Sequence, residues 1–458
     1  MEHFIHSPRD TGNNHHLRRI IVVMQETKIR SAALGTLLAA EAMNVLDATI
    51  TQVAGPAIHA ELGGAASDIQ WFGAAYTLPF AMLLITGGRL GDLLGRRRVF
   101  LSGVAVFALA SLGCALAPDT GVLIGARAVQ GLASALVIPQ TIGLIKAMYT
   151  GPALSAALGW NGPVVGLSAV SGPLLGALLT DLVSWRAAFL VNVPISLAIL
   201  AARRLLPEDR AADPVRLDVP GTLLASLGVG LLVYPLIDRW DWTLFAGGAA
   251  VLVVFGFHQR RRRNPLVEPS LFGHRGFPAA LVTSTLFFAV MNGVMLVVVL
   301  HQQLDEGLGV LASGLTLLPW SGGLAVSSWV AGQWLVPRYG PRVAFAGLTL
   351  LLAGILLAMA GPLPLALGIG GLGLGLFTVP FFTTALSVVR PHETGSAAGL
   401  LNAVQQLGTT LGIAVLGTVF LRGHSLIQAL VPAAALVLAT MVTTALMRPA
   451  KTTAKATV

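Results

Sequence analysis

Fourteen apolar, nearly uncharged runs divide this chain, at about 31–54, 69–88, 99–117, 121–145, 154–180, 186–202, 217–237, 241–258, 277–300, 310–336, 341–360, 363–388, 396–421 and 425–447. A helix rises about 1.5 Å per residue and the hydrocarbon layer is about 30 Å thick, so runs of about 20 apolar residues read as membrane-spanning helices. The expectation is an all-α membrane protein. Composition agrees, with 55% of the 458 residues hydrophobic, 11% charged and a mean hydropathy of +0.78, where a soluble domain carries about 25% charged residues. Fifty-two glycines and 25 prolines would interrupt soluble helices, but membrane helices tolerate both, and small residues let neighbouring backbones approach.

The formal charge of +9 raises nucleic acid as a partner, and the placement of the basic residues argues against it. With the N-terminus inside, 25 of the 29 Lys and Arg fall in inner loops or tails, and only Arg186, Arg239 and Arg422 fall outside. Cytoplasmic loops are enriched in Lys and Arg, so both termini are expected in the cytoplasm of a multi-pass protein in the cell membrane. Residues 1–27, which include HHLRR and lack a long apolar segment, read as a polar tail rather than a cleaved signal peptide, with Met24 as an alternative start. The single cysteine, Cys114, reads as a small packed hydrophobe.

Two polar linkers, PEDRAADPVRLD at 207–218 and RRRRNPLVEP at 260–269, enclose two of the runs. Removing that pair leaves six spans before and six after, each in unchanged orientation. The expected organisation is a tail at 1–30, a six-helix bundle at 31–206, a linker with two extra spans at 207–265, a second six-helix bundle at 266–447 and a tail at 448–458. An internal echo supports the division: Gly87, Gly95 and Arg97 share the spacing of Gly332, Gly340 and Arg342, and transporter folds are commonly built from such repeats.

The loop GGRLGDLLGRRRVF at 87–100 resembles the signature between helices two and three of the major facilitator superfamily, through Gly88, Leu90, Asp92, Gly95, Arg96 and Arg97. LDATITQVAGPAI at 46–58, RAVQGLASALVIPQ at 127–140, SGPLLGALL at 171–179, WRAAFLVNVP at 185–194 and GSAAGLLNAVQQLGTTLG at 395–412 are similar to the fourteen-helix drug:proton antiporter branch, the EmrB/QacA type. The resemblance implies two rocking six-helix bundles with two extra helices between them. It also makes Gly88, Asp92, Gly95, Arg96 and Arg97 a conformational latch, in which charge-assisted contacts between bundle halves form and break. In the fifth span it assigns Gly159, Gly172, Pro173 and Gly176 to the antiporter motif, with Ser168 and Ala177 standing where glycine is usual.

Ionisable groups inside spans are costly and are functional candidates by default. Three are expected: Glu41, Asp47 and Arg127. Glu41 lies near the middle of the first predicted span and Asp47 about 9 Å further outward; six residues at about 100° each put them on different helix faces. A carboxylate that changes its exposure or its distance from a cation can take up and release a proton. By resemblance Asp47 and Arg127 serve proton transfer, while Glu41 lies outside the motif and is expected in recognition or coupling. Asn292, Trp320, Phe381, Phe382, Asn402, Gln405 and Gln406 are candidates for lining a substrate cavity.

An ATP-driven pump would show a Gly-Lys-Ser/Thr phosphate loop, and none of the four lysines follows a glycine. His392-Glu393 lacks the second histidine of a zinc protease motif. Neither an enzyme nor a cofactor or metal is expected. The reading is a monomeric, proton-coupled exporter of amphipathic or cationic drugs or antibiotics, with uptake of a metabolite by the same fold as the alternative.

Overall fold

A computed structural model describes residues 11–209, 217–237, 241–262, 265–273, 276–387, 389–390 and 394–447. Thirteen of its helices are long and apolar enough to cross a membrane: α1 (Lys28–Leu62), α2 (Asp68–Leu94), α3 (Arg96–Ala115), α4 (Thr120–Met148), α5 (Ala156–Leu182), α6 (Trp185–Leu205), α7 (Val219–Ile237), α8 (Trp242–Arg261), α9 (Gly276–Asp305), α10 (Val310–Tyr339), α12 (Leu363–Ser387), α13 (Ser396–Gly423) and α14 (Leu426–Leu446). The eleventh expected span is a shorter apolar helix, α11 (Arg342–Ala358). Every apolar run is thus helical. His392 and Glu393 lie outside the described residues, as do 1–10 and 448–458, whereas the part of the expected N-terminal tail from Thr11 onward is helical and continuous with α1.

Several helices outrun their apolar core. α1 continues through His59 and Glu61 to Leu62, and α9 continues through a π turn at His301–Asp305. Hydropathy stops at the first charges, but the backbone stays helical beyond them.

Proline explains the breaks inside spans. It lacks an N–H and its ring crowds the carbonyl four residues earlier. Pro163 leaves α5 divided between Gly151–Gly159 and Asn161–Leu182, and Pro194 divides α6 between Trp185–Leu190 and Asn192–Ala201. α10 is divided in the same way, close before Pro319.

The first six spans bury a core containing Leu37, Met43, Tyr76, Phe100, Phe107 and Val137. The last six bury an aromatic one around Phe287, Phe377 and Phe381. Glycine sets the closest approaches: a Cβ on Gly131 of α4 would collide with the Tyr76 carbonyl of α2, which locks these two helices together.

The two halves meet along α2 and α13, where the Thr77 and Thr410 hydroxyls lie 2.6 Å apart. On the other seam Gln52 Nε2 donates to Asn292 Oδ1 at 3.3 Å and Gln303 Nε2 to the Val53 carbonyl at 3.1 Å. α7 lies against α2 and α13: Val233 and Ile237 pack with Ala74, Leu78 and Ala414, and Thr418 donates to the Leu236 carbonyl at 2.9 Å. α8 is held mainly by α7, through close contact of Gly228 with Leu252, and of α8 only Gly248 and Gln259 are buried.

Candidate functional site

Asp47, Arg127, Gln130 and Asn192 form a buried polar cluster where α1, α4 and α6 meet, each 0–1% exposed. Arg127 Nη1 donates to Asp47 Oδ2 and, at 2.8 Å, to Gln130 Oε1; its Nε donates to the Phe72 carbonyl at 2.9 Å. The other carboxylate oxygen, Asp47 Oδ1, accepts from Asn192 Nδ2 at 2.7 Å and Gln130 Nε2 at 3.3 Å. Gln130 Nε2 also donates to Ser111 Oγ at 2.7 Å, and Cys114 Sγ to Gln130 Oε1 at 3.3 Å, which fixes both ends of that amide. The aromatic walls are Tyr76 and Phe189, whose ring centres lie 4.4 and 5.8 Å from the guanidinium carbon.

Each part is placed by local structure. Gln130 follows Arg127 by three residues and so shares its helix face. Asn192 opens the helical segment that restarts after the Pro194 break, which brings its side chain to the carboxylate. Tyr76 Oη donates to Asn44 Oδ1 at 2.9 Å, one turn before Asp47, and lies 3.0 Å from Ser134 Oγ. A buried ion pair survives when its remaining lone pairs and protons are also matched, and here neutral amides do that matching.

Glu41 is 6% exposed and, among the described residues, makes no hydrogen bond or ion pair. The structure therefore keeps it out of the Asp47 cluster, as the helical angle between them requires. Tyr76 lies within electrostatic reach of both carboxylates. Two carboxylates on one helix thus differ sharply, one saturated with donors and one unpartnered.

At the arginine-rich end Gly95 ends α2 at φ 99°, a conformation only glycine adopts readily. Arg96 holds Asp92 Oδ1 through Nε and Nη2 at 3.1 and 2.9 Å, and Asp209 Oδ2 through Nη1 at 2.5 Å; its backbone N–H donates to the Asp209 carbonyl at 3.0 Å. Arg97 meets Glu208 at 3.2 Å, and Arg89 donates to the Pro265 carbonyl. These contacts fasten the loop to the two linkers, where the sequence led us to expect contacts between bundle halves. The reason lies in the chain: Glu208 and Asp209 follow α6 directly and bring carboxylates beside the arginines. A Cβ on Gly88 would make only ordinary contact with Pro139.

Asp218, just before α7, accepts from the Gly221 N–H at 3.1 Å, from Gln259 Nε2 at 2.8 Å and lies 2.8 Å from His258 Nε2. Burial opposes its charge, but the bonds from His258, Gln259 and Gly221 outweigh this and hold the carboxyl below its usual range.

In α5, a Cβ on Gly172 or Gly176 would strike Thr49 or Ile50 of α1, so both glycines permit close packing directly beyond Asp47. A Cβ on Gly159 would meet nothing within 4 Å. Pro173 lies within the helix without breaking it.

The aromatic candidates pack among the helices of the second half. Trp320 is buried against Gly370 and Gly371, and Phe381 stacks on Phe377 at 5.3 Å in the core of the second half. Phe382 packs edge-on to Phe381. In glycine-rich helices such side chains fill the interhelical space. Asn292 is spent on Gln52 and Thr409 at the seam. Asn402, Gln405 and Gln406 are half-buried on α13 and, among the described residues, make no side-chain hydrogen bond.

A multi-pass all-α membrane protein with a sealed ionisable pair in one half of two packed bundles has the build of a secondary transporter. The chain belongs to the Major Facilitator Superfamily, whose family profile matches residues 37–413. It is 40% identical to a probable actinorhodin transporter of Streptomyces coelicolor over 418 residues, covering 85% of this chain and 72% of that one. It is 37% identical to a puromycin resistance protein of Streptomyces alboniger, covering 84% and 81%. Among solved structures, a POT family transporter in complex with 5-aminolevulinic acid superposes with a TM-score of 0.66 at 14% identity, over 90% of this chain and 96% of that one, and shares the fold.

Proposed function

We propose that this protein exports an amphipathic or cationic antibiotic or drug in exchange for protons. The observation that carries the proposal is the buried Asp47–Arg127 pair within a superfamily chain whose relatives include an antibiotic transporter and a resistance protein. Protons enter at Asp47, whose neutralisation leaves Arg127 without its counter-charge and biases the two halves toward the other access state. Glu41, without a partner among the described residues on the same helix, attracts a cationic substrate or passes the proton on, and the half-buried Asn402, Gln405 and Gln406 of α13 offer polar contacts to the substrate. The organisation at 31–206, 207–265 and 266–447, the cytoplasmic placement of both ends in the plasma membrane, and a monomeric state belong to this reading. The excess of basic residues on one side supports the orientation.

The test imposes a pH gradient on inverted membrane vesicles and adds lipophilic cations and antibiotics in turn. A compound that collapses the gradient with the wild type but not with Asp47→Asn establishes coupled export. If the inserted protein accumulates labelled substrate in cells instead of depleting it, the direction is uptake and the proposal fails.

A further inference from the structure

One atom of the Asp47 cluster has no partner among the described residues. Asn192 is fully buried, its Nδ2 donates to Asp47 Oδ1, and its Oδ1 meets no donor. Gln130, the other amide on that oxygen, is fixed at both ends, because its Oε1 accepts from Arg127 and its Nε2 donates to Ser111. Only Asn192 can turn over without breaking a second bond.

An ionised carboxylate accepts only, whereas a protonated one must donate its O–H. Asp47 Oδ2 faces the Arg127 guanidinium, so a proton arriving at Asp47 is directed to Oδ1. There it meets two amide N–H donors and no acceptor, and a buried donor without an acceptor is costly. From this geometry we infer that the Asn192 amide reverses with each proton: its N–H₂ serves the charged carboxylate, and its carbonyl oxygen accepts the O–H of the neutral acid. The far side of the amide is unbonded beforehand, so reversal exchanges one unpaired group for another there, while the near side follows the proton. The balance is simple: one proton from the medium binds Oδ1, Arg127 keeps its charge, and the cluster gains one positive charge.

The ionisable groups around this carboxylate are Arg127 from α4, Tyr76 from α2 and Cys114 from α3, with Glu41 six residues back on α1. α6 contributes Asn192 and Phe189. Asn192 is in this sense a positioning residue that acts through Asp47. The inference rests on the reading of Asp47 as the proton acceptor.

Acid-induced infrared difference spectra of the reconstituted protein test it. A carboxylic acid band that appears on acidification and is missing in Asp47→Asn identifies the protonated Asp47. In Asn192→Leu that band is expected at higher wavenumber, where a carboxylic acid without its acceptor absorbs. In the wild type, isotopically labelled asparagine is expected to reveal a side-chain amide band that rises with the acid band and is lost in Asn192→Leu. If that variant does not insert, Asn192→Val, which also lacks an acceptor, replaces it, and the labelled wild type still shows whether an amide band accompanies the acid band. An unshifted acid band in the variant, or no amide band in the labelled wild type, overturns the reversal while leaving Asp47 as acceptor. If no Asp47-dependent acid band appears at any pH, Asp47 is not the acceptor and both readings fall.

Discussion

The guanidinium carbon of Arg127 lies 4.4 Å from the centre of the Tyr76 ring while the same group holds the Asp47 carboxylate. The planar cation is thus used on its face and its edge at once, against an aromatic ring and against an anion and two acceptors. Lysine carries the charge but neither the plane nor the five donors. Arg127→Lys is expected to insert normally and to lose proton-driven export at least about tenfold, the loss of roughly 1.4 kcal/mol or more of differential stabilisation. Rates in the vesicle assay check this, and export within about twofold of wild type would remove Arg127 from the coupling role.

Glu41 separates substrate charge from coupling. Glu41→Gln keeps shape and removes a carboxyl group that has no partner among the described residues, so the fold should be unaffected. The expected result is a higher KM for cationic compounds with little change for neutral ones. Equal loss for both classes would assign Glu41 to the proton path.

The α5 glycines should divide by position. Gly176→Leu forces a side chain against Ile50 of α1, and overpacking of this kind costs about 1–3 kcal/mol. Gly159→Ala meets nothing within 4 Å and should be neutral or slightly stabilising. Thermal melting in detergent compares the two, and similar melting temperatures would contradict the packing assigned to Gly176.

The Asp218 junction gives a pH dependence. Its carboxyl is held below the usual value of 3.8, so the stability it contributes is present above that value and is lost as pH falls through the lower folded one. Asp218→Asn should lower stability above about pH 4, by about 1–3 kcal/mol through the His258 and Gln259 donors left without their anion. The difference from wild type should shrink as the pH falls further. Melting curves from pH 7 to 3 measure it, and a gap that stays constant would show that the charge is not what matters.

How far the sequence could be read depended on how conspicuous each residue was. Asp47 and Arg127 stood out because a charge inside an apolar run has a high cost, and the structure joins them. Gln130 and Asn192 are uncharged, and their partners come from other helices, so nothing in the spacing of either span singles them out, although both lie in stretches that resemble the superfamily. Trp320 and Phe381 are hard to read for the opposite reason: an aromatic residue among glycines packs a core as readily as it lines a cavity, and periodicity cannot separate the two. Fourteen apolar helices, thirteen of them long enough to cross a membrane, were legible from hydropathy alone, whereas the proline breaks that deliver Asn192 depend on where the chain resumes its helix. The contact of Arg96 with Asp209 depends on a linker whose path the apolar runs do not encode.

α8 buries only Gly248 and Gln259 and exposes Val253, Val254 and Phe257. Most of its surface is free of the constraint that packing places on a side chain, so substitutions there should be tolerated wherever they remain apolar. That makes the helix a place to attach a spectroscopic label or an affinity handle without touching the machinery.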